Sequence, residues 1–181
     1  MKGKRQRIEP YLHRLYGYAF SLTHDAEIAR EILHEAVVKA LAARDIPCDE
    51  PAYRAWLFRI LRNVFVDRHR RQRDIEHAID LENEDVGMWD FGSETQQVNV
   101  LAVRMAFGQL PVAHREIIGA IDISGLTYAE AADLLQVPVG TVMSRISRAR
   151  AALYKAMAKT KADTKIEFLP VQRAGRKGSS Q

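Results

Sequence analysis

A single cysteine, Cys48, occurs in the whole chain of 181 residues. A lone thiol forms no intramolecular disulfide and builds no cysteine-rich zinc site. No apolar run approaches the roughly 20 residues that cross a bilayer, so no membrane insertion is expected. The basic start, "MKGKRQRIEPYLHR", lacks the apolar stretch and cleavage site of a secretory signal, which points to a cytoplasmic protein. Strand signals are nearly missing as well. Three- and four-residue apolar spacing takes the place of strict alternation almost throughout. Catalytic patterns are equally scarce. There is no HExxH, no GxxxxGK[ST] phosphate loop, no carboxylate pair placed for acid–base work and no Cys–His nucleophile arrangement. His13, His24, His34, His69, His77 and His114 are scattered without ligand spacing. These absences predict an all-α protein that is not an enzyme and has neither metal nor other cofactor.

What is present is charge arranged in blocks. The composition, 47% hydrophobic and 28% charged, is ordinary for a globular chain, and the net charge of +4 is small. Between Arg54 and Arg73, however, Arg54, Arg59, Arg62, Arg68, Arg70, Arg71 and Arg73 face one acid, Asp67. From Asp74 to Glu94 the charges are Asp74, Glu76, Asp80, Glu82, Glu84, Asp85, Asp90 and Glu94, with no Lys or Arg. From Thr141 to Lys161 the chain is basic again through Arg145, Arg148, Arg150, Lys155, Lys159 and Lys161. Two basic blocks separated by an acidic one suit a polyanionic partner better than they suit solubility alone.

The apolar spacing predicts helices over Tyr11–Leu22, Asp25–Ala43 and about Ala52–Arg70. "RDIPCDEPAY" separates the last two, because Pro51 biases Glu50 away from helical geometry. After an aperiodic acidic stretch, helices are predicted over Val98–Gln109, Val112–Ile123, Tyr128–Leu135 and Val139–Met157. The expected organisation is two small helical domains, residues 1–73 and 98–158, joined by an acidic flexible linker at 74–97. A basic, disordered tail is expected over 159–181.

Leu126 to Leu153, "LTYAEAADLLQVPVGTVMSRISRARAAL", has the pattern of a helix-turn-helix. Thr127 with Glu130 three residues later is a capping-box signature. Ala129, Ala132 and Leu135 form the expected inner face, "QVPVG" the turn, and Pro138 the first position of the second helix. A helical projection turns Val142, Ile146, Ala149 and Leu153 inward and Met143, Ser144, Ser147 and Arg148 outward. Short polar groups and guanidinium groups on one exposed face are what a recognition helix offers to base edges and phosphates. A plain helical hairpin with a solvated basic face would share this pattern.

Two stripes overlap in "WLFRILRNVFVDRHRRQRD", Trp56 to Asp74. Leu57, Ile60, Leu61 and Val64, flanked by Phe65, form an apolar stripe. Trp56, Arg59, Asn63, Asp67 and Arg70 form a second one. Aromatic rings stack on unpaired bases, amides and acids read base edges, and arginines hold phosphates. Trp56 by itself fits the core equally well.

These residues carry a resemblance. "AWLFRILRNVFVDRHRRQR" resembles the −10 promoter-reading helix of bacterial RNA polymerase sigma factors of the sigma-70 family, extracytoplasmic-function (ECF) group. "AREILHEAVVKAL" resembles the helix by which those proteins grip core polymerase, and the stretch from Gln109 to Leu153 resembles their −35-reading domain. The resemblance implies an all-α protein with a region 2-like bundle and a region 4-like helix-turn-helix. It implies that Asn63 and Asp67 read unpaired −10 bases while Arg59, Arg62, Arg68, Arg70 and Arg71 hold phosphates. Met143, Ser144, Ser147 and Arg148 would face −35 bases, with Thr141 and Arg145 on phosphates. Glu35, Val38, Lys39 and Leu41 would meet the polymerase. Core RNA polymerase and promoter DNA are thus the implied partners, and an anti-sigma factor is a further partner common in the family. The acidic linker would suit a basic channel built for a polyanion. His34 and Val37 stand where the family often has Gln and Phe. Met143 replaces a frequent cation, and Gln136 replaces a frequent turn glycine. The expected function is promoter-specific transcription initiation with capture of unpaired bases. Its alternative is a free-standing helix-turn-helix regulator that binds duplex DNA without polymerase.

Overall fold

The computed structural model describes residues 6–76 and 103–164, and every regular element among them is helical. A short 3-10 turn, Glu9–Tyr11, leads into α1 (Leu12–Thr23), followed by α2 (Ala26–Ala42) and α3 (Glu50–Glu76). The second part comprises a short helical segment, α4, at residues 103–108, then α5 (Val112–Ile118), α6 (Tyr128–Leu135) and α7 (Val139–Thr164). Between α5 and α6 the chain widens into a π-helical turn, Gly119–Ile123, marked by the bond from Ser124 N–H to the Gly119 carbonyl at 3.0 Å. The acidic stretch from residue 77, Trp89 and Phe91 included, and the tail beyond Thr164 lie outside the described residues.

Local chemistry sets the helix boundaries. Asp25 caps α2, its side chain accepting from the N–H groups of Glu27 at 2.7 Å and Ile28 at 2.8 Å. His24 joins α1 to α2 in the left-handed conformation, with φ of 56°. The start of α3 differs from the sequence expectation. Asp49 accepts from Ala52 N–H at 3.0 Å, and the helix already includes Glu50 and Pro51. Pro51 lies in the first turn, where its missing N–H has no intrahelical partner to lose. The helices also run further than predicted, α3 to Glu76 and α7 to Thr164, so the first residues of both the linker and the tail are helical.

On α2 the buried positions are Ala29, Ile32, Ala36 and Ala40. On α3, Leu57, Leu61 and Val64 are buried as expected, but Phe58 on the other flank of this stripe is fully buried while Ile60 is only partly covered. Trp56 is half-buried against this core and stacks on Tyr53 with ring centroids 5.6 Å apart. Tyr18 and Phe58 meet edge to face at 5.6 Å in the centre.

The capping box at Thr127 and Glu130 is present in full, and Gln136 closes α6 with φ of 55°. That left-handed residue costs about 1 kcal/mol relative to glycine, partly offset by the hydrogen bond its amide donates to the Asp133 carbonyl. Two expectations for this unit need correction. Ala129 is exposed, and the buried face of α6 is Ala131, Ala132, Leu134 and Leu135, since this face must serve α7 and the first helical part together. Pro138 precedes α7, its carbonyl accepting from Thr141 and Val142 N–H, so that Val139 is the first helical residue. Leu153 packs on the same core, partly buried, at the end of the Val142, Ile146, Ala149 stripe.

The two parts are not beads on a tether. Ala120, Leu126 and Leu134 join the core built on α1–α3, and α1 packs on α5 and the π turn while α3 packs on α6. At the seam, a Cβ on Gly119 would overlap the Ser21 hydroxyl, and one on Gly17 would come within 2.8 Å of Ile123 Cγ2. Glycine at 119 is thus required by close approach, its φ of −58° being ordinary. Polar contact also crosses the seam: Arg115 Nη2 donates to the Leu22 carbonyl at 3.2 Å, and Ser124 Oγ lies 3.4 Å from the Arg14 carbonyl. His24 lies in the same seam, 5.6 Å from the Phe20 ring and 6.5 Å from that of Phe107.

Two outcomes follow for stability. Leu61→Ala is expected to cost about 2–5 kcal/mol of unfolding free energy in a urea titration, because Leu61 is fully buried. Burial, and then the Arg115 and Arg104 charges, hold the His24 pKa below its usual value. The unfolded chain therefore binds a proton at His24 at a higher pH than the folded chain does, and stability falls as pH drops below about 6.5. His24→Asn keeps a residue tolerant of the left-handed conformation and should flatten the loss between pH 7.5 and 5 in parallel urea titrations. An unchanged slope would contradict this assignment.

Candidate nucleic-acid interface

The apolar face of α3 is committed to the core, which fixes the direction of its opposite side. Arg59, Asn63, Asp67 and Arg70 are all exposed there, as is Arg71. At about 100° per residue they fall within roughly 80° of one another, and Trp56 falls inside the same sector. Trp56 thus belongs partly to each stripe: its ring is packed at one side and half-open at the other. A row of guanidinium, amide and carboxylate groups beside an aromatic ring can hold a phosphate backbone and read the edge of an unstacked base.

Two of the predicted arginines are placed differently. Arg62 is half-buried, and its Nε donates to Glu116 Oε1 of α5 at 2.8 Å. Arg68 points towards α2, where Nη1 meets Glu31 Oε2 at 2.6 Å. Both have left the exposed row for acids on neighbouring helices. A similar pair links Arg54 of α3 to Glu130 of α6, with Nε donating at 3.1 Å. Burial alone would raise the Glu130 pKa, but the bonds it accepts from Arg54 and Thr127 outweigh that and hold the carboxyl below its ordinary range.

On α7 the burial of Val142, Ile146 and Ala149 leaves Met143, Ser144, Arg145, Ser147 and Arg148 exposed, with Thr141 half-buried at the start of the helix. Met143 is 53% exposed, so an apolar side chain stands uncovered in the middle of this face. Ser144 Oγ donates to the Thr141 carbonyl at 3.0 Å, and Arg148 Nε to the Ser144 carbonyl at 3.2 Å, which lays the Arg148 guanidinium along the face. Arg150 is tied to Asp122, and its pKa is raised by the hydrogen bonds it donates there.

The third predicted surface lies on α2. Lys39 Nζ and Glu35 Oε1 form a pair at 2.8 Å one helical turn apart, and Val38 beside them is 51% exposed. Leu41 is partly buried against the core and supports this patch from below. An exposed valine flanked by both charges on a rigid helix is a surface suited to another protein.

Comparison with known proteins matches two segments of the chain to one family. Residues 7–75 match the family described as Sigma-70 region 2, and residues 101–153 that described as Sigma-70, region 4. The RNA polymerase sigma-H factor of Pseudomonas aeruginosa is 32% identical over 164 residues, covering 81% of this chain and 82% of the relative. The ECF RNA polymerase sigma factor SigM of Mycobacterium tuberculosis is 35% identical over 149 residues, 82% of this chain and 72% of its own. The chain belongs to the sigma-70 family, in its ECF group. Among solved structures, the sigma factor RpoE from Bartonella quintana, in complex with the anti-sigma factor NepR, is 28% identical. It covers 87% of this chain and 98% of that one, with a TM-score of 0.69. As an ECF sigma factor, the chain serves promoter-specific transcription initiation by core RNA polymerase.

Sequence reasoning missed Arg54, Glu116, Glu130 as a pairing residue, and the Gly119–Ser21 contact. Only the capping box singled out Glu130, and it did so for another reason. Nothing in the spacing of these residues shows that they meet across 54 or 76 positions of chain.

Proposed function

We propose that α3 reads the unpaired −10 strand, with Asn63 and Asp67 on bases and Arg59, Arg70 and Arg71 on phosphates. Arg62 and Arg68 join them once released from their acids. On α7, Met143, Ser144, Ser147 and Arg148 face −35 base edges, while Thr141 and Arg145 hold phosphates. Glu35, Val38, Lys39 and Leu41 on α2 dock on core polymerase. Residues 1–73 and 98–158 then act as the two promoter-reading units, and 74–97 connects them. The observation that carries the reading is the alignment of exposed Arg59, Asn63, Asp67 and Arg70 on the side of α3 opposite its buried face. Separation of the strands draws on binding energy alone, a few kcal/mol for each base splayed out, and needs no catalytic group. The protein works in the cytoplasm as a regulatory subunit rather than an enzyme. An anti-sigma factor, as bound by the Bartonella relative, is a partner consistent with this fold.

Run-off transcription with purified core polymerase and a promoter library tests the reading. Specific initiation is expected; duplex binding by the isolated chain without initiation would favour a free-standing regulator. In that assay Asn63→Ala should change −10 base preference more than overall affinity. Arg70→Ala should weaken binding across all sequences and flatten its salt dependence. Equal effects of both on every promoter would contradict the two roles. Met143→Arg should strengthen −35 duplex binding at low salt and steepen the log K against log salt slope by about 0.9 for the added phosphate contact. An unchanged slope in a fluorescence-anisotropy titration would remove Met143 from the DNA face.

A further inference from the structure

Gly140 stands in the first turn of α7, exposed and in ordinary helical backbone. Nothing in the fold asks for a glycine there. A Cβ would meet no atom within 4 Å, and glycine is a poor helix former. The surface around it is equally unusual. Met143 is 53% exposed and Val139, one turn earlier, is 43% exposed, so two apolar side chains adjoin each other in solvent. At about 100° per residue, Gly140 falls between Met143 and Ser144. It is the floor of a shallow gap with an apolar side chain on one side and a hydroxyl on the other. Ser144 Oγ donates its hydrogen to the Thr141 carbonyl at 3.0 Å and keeps only lone pairs for a further partner. Arg148 lies one turn further on, its Nε donating to the Ser144 carbonyl at 3.2 Å.

We propose that this gap seats the C5-methyl group of a thymine in the −35 element. Met143 is its apolar contact, and Gly140 is the space that lets the helix come close enough. The inference rests on the −35 reading of α7 proposed above and names the base. In the major groove thymine alone presents a methyl group, adenine and cytosine present an amino donor, and guanine presents only acceptors. The first turn of α7 has no free side-chain donor for guanine: Met143 and Val139 have none, Gly140 has no side chain, and the Ser144 hydrogen is already used. The Ser144 lone pairs suit an amino group instead, from the adenine paired with that thymine or from a neighbouring base. A methyl group at position 140 would hold the helix off the base edge by its own width. Glycine thus serves the contact while it weakens the helix.

The test uses the holoenzyme assembled from core polymerase and the full chain. A promoter library randomised in the −35 element yields the preferred sequence, and each thymine in it is then replaced singly by deoxyuridine, which removes only the methyl group. One replacement should weaken binding of the parent about fourfold, the worth of one buried methyl group, and should cost nothing with Met143→Ala. Gly140→Ala should weaken −35 binding severalfold while raising the thermal midpoint of the free chain by a few degrees; a glycine needed for packing would lower that midpoint instead. Equal tolerance of deoxyuridine at every thymine would overturn the methyl contact, and so would an undiminished loss with Met143→Ala. Gly140→Ala that binds as tightly as the parent would overturn the close approach. Arg148→Ala separates this inference from the reading beneath it. If neither Arg148→Ala nor Met143→Ala changes −35 preference, the −35 assignment of α7 fails. If Arg148→Ala relaxes that preference while no thymine is sensitive, only the methyl contact fails.

Discussion

Burial of one face of α3 is the constraint on which the other surfaces depend. Leu57, Phe58, Leu61 and Val64 meet α1 and α2, and once they are inside, every remaining direction around the helix is assigned. The sector with Arg59, Asn63, Asp67 and Arg70 turns outward. The flank with Arg54 and Arg62 turns towards α5 and α6, and Arg68 turns towards Glu31 of α2. Hydrophobic burial is non-directional in itself, yet on a helix it acts as an orienting force, because the side chains are locked to one another at fixed angles. A loss of packing at Leu61 would thus blur the polar face without touching any of its residues.

The second half follows the same logic with a smaller core. Val142, Ile146 and Ala149 pin α7, and α6 is pinned from two sides, since Leu134 belongs to the core of α1–α3 while Ala131, Ala132 and Leu135 belong to that of the helix-turn-helix. The Thr127–Glu130 capping box fixes where α6 begins, and the strained Gln136 fixes where it ends. Precise ends matter in this unit because α7 can only present Ser144, Ser147 and Arg148 together if the turn before it has one geometry.

Most of this was legible in the sequence where the signal is local. Helical period, the capping box and the outward faces of α3 and α7 all depend on residues within a few turns of each other. The errors share a cause in longer range. Ile60 and Phe58 flank the Leu57, Leu61 and Val64 stripe on opposite sides, and contact with Tyr18 on a neighbouring helix, rather than period, buries Phe58. Ala129 lost its predicted place because α6 has two neighbours to satisfy. The ion pairs of Arg62 and Arg68 carry no sequence signal either, because Glu116 and Glu31 lie on other helices. The docking of the two halves was invisible for the same reason: glycine and serine at a close crossing carry no periodic signature.

The π turn at Gly119–Ile123 gives the chain a length that cannot be adjusted there. One extra residue is accommodated within a single turn, which lets Gly119 face Ser21 while Ser124 Oγ still returns to the Gly119 carbonyl at 2.7 Å. Removing one residue would restore an ordinary α-helical ladder and rotate everything that follows by about 100° about the axis of α5. Leu126, Glu130 and Leu134 would then swing off α3 together, while each helix kept its own sequence and stability. In this protein a single-codon deletion in five residues would be a rearrangement of architecture rather than a local defect.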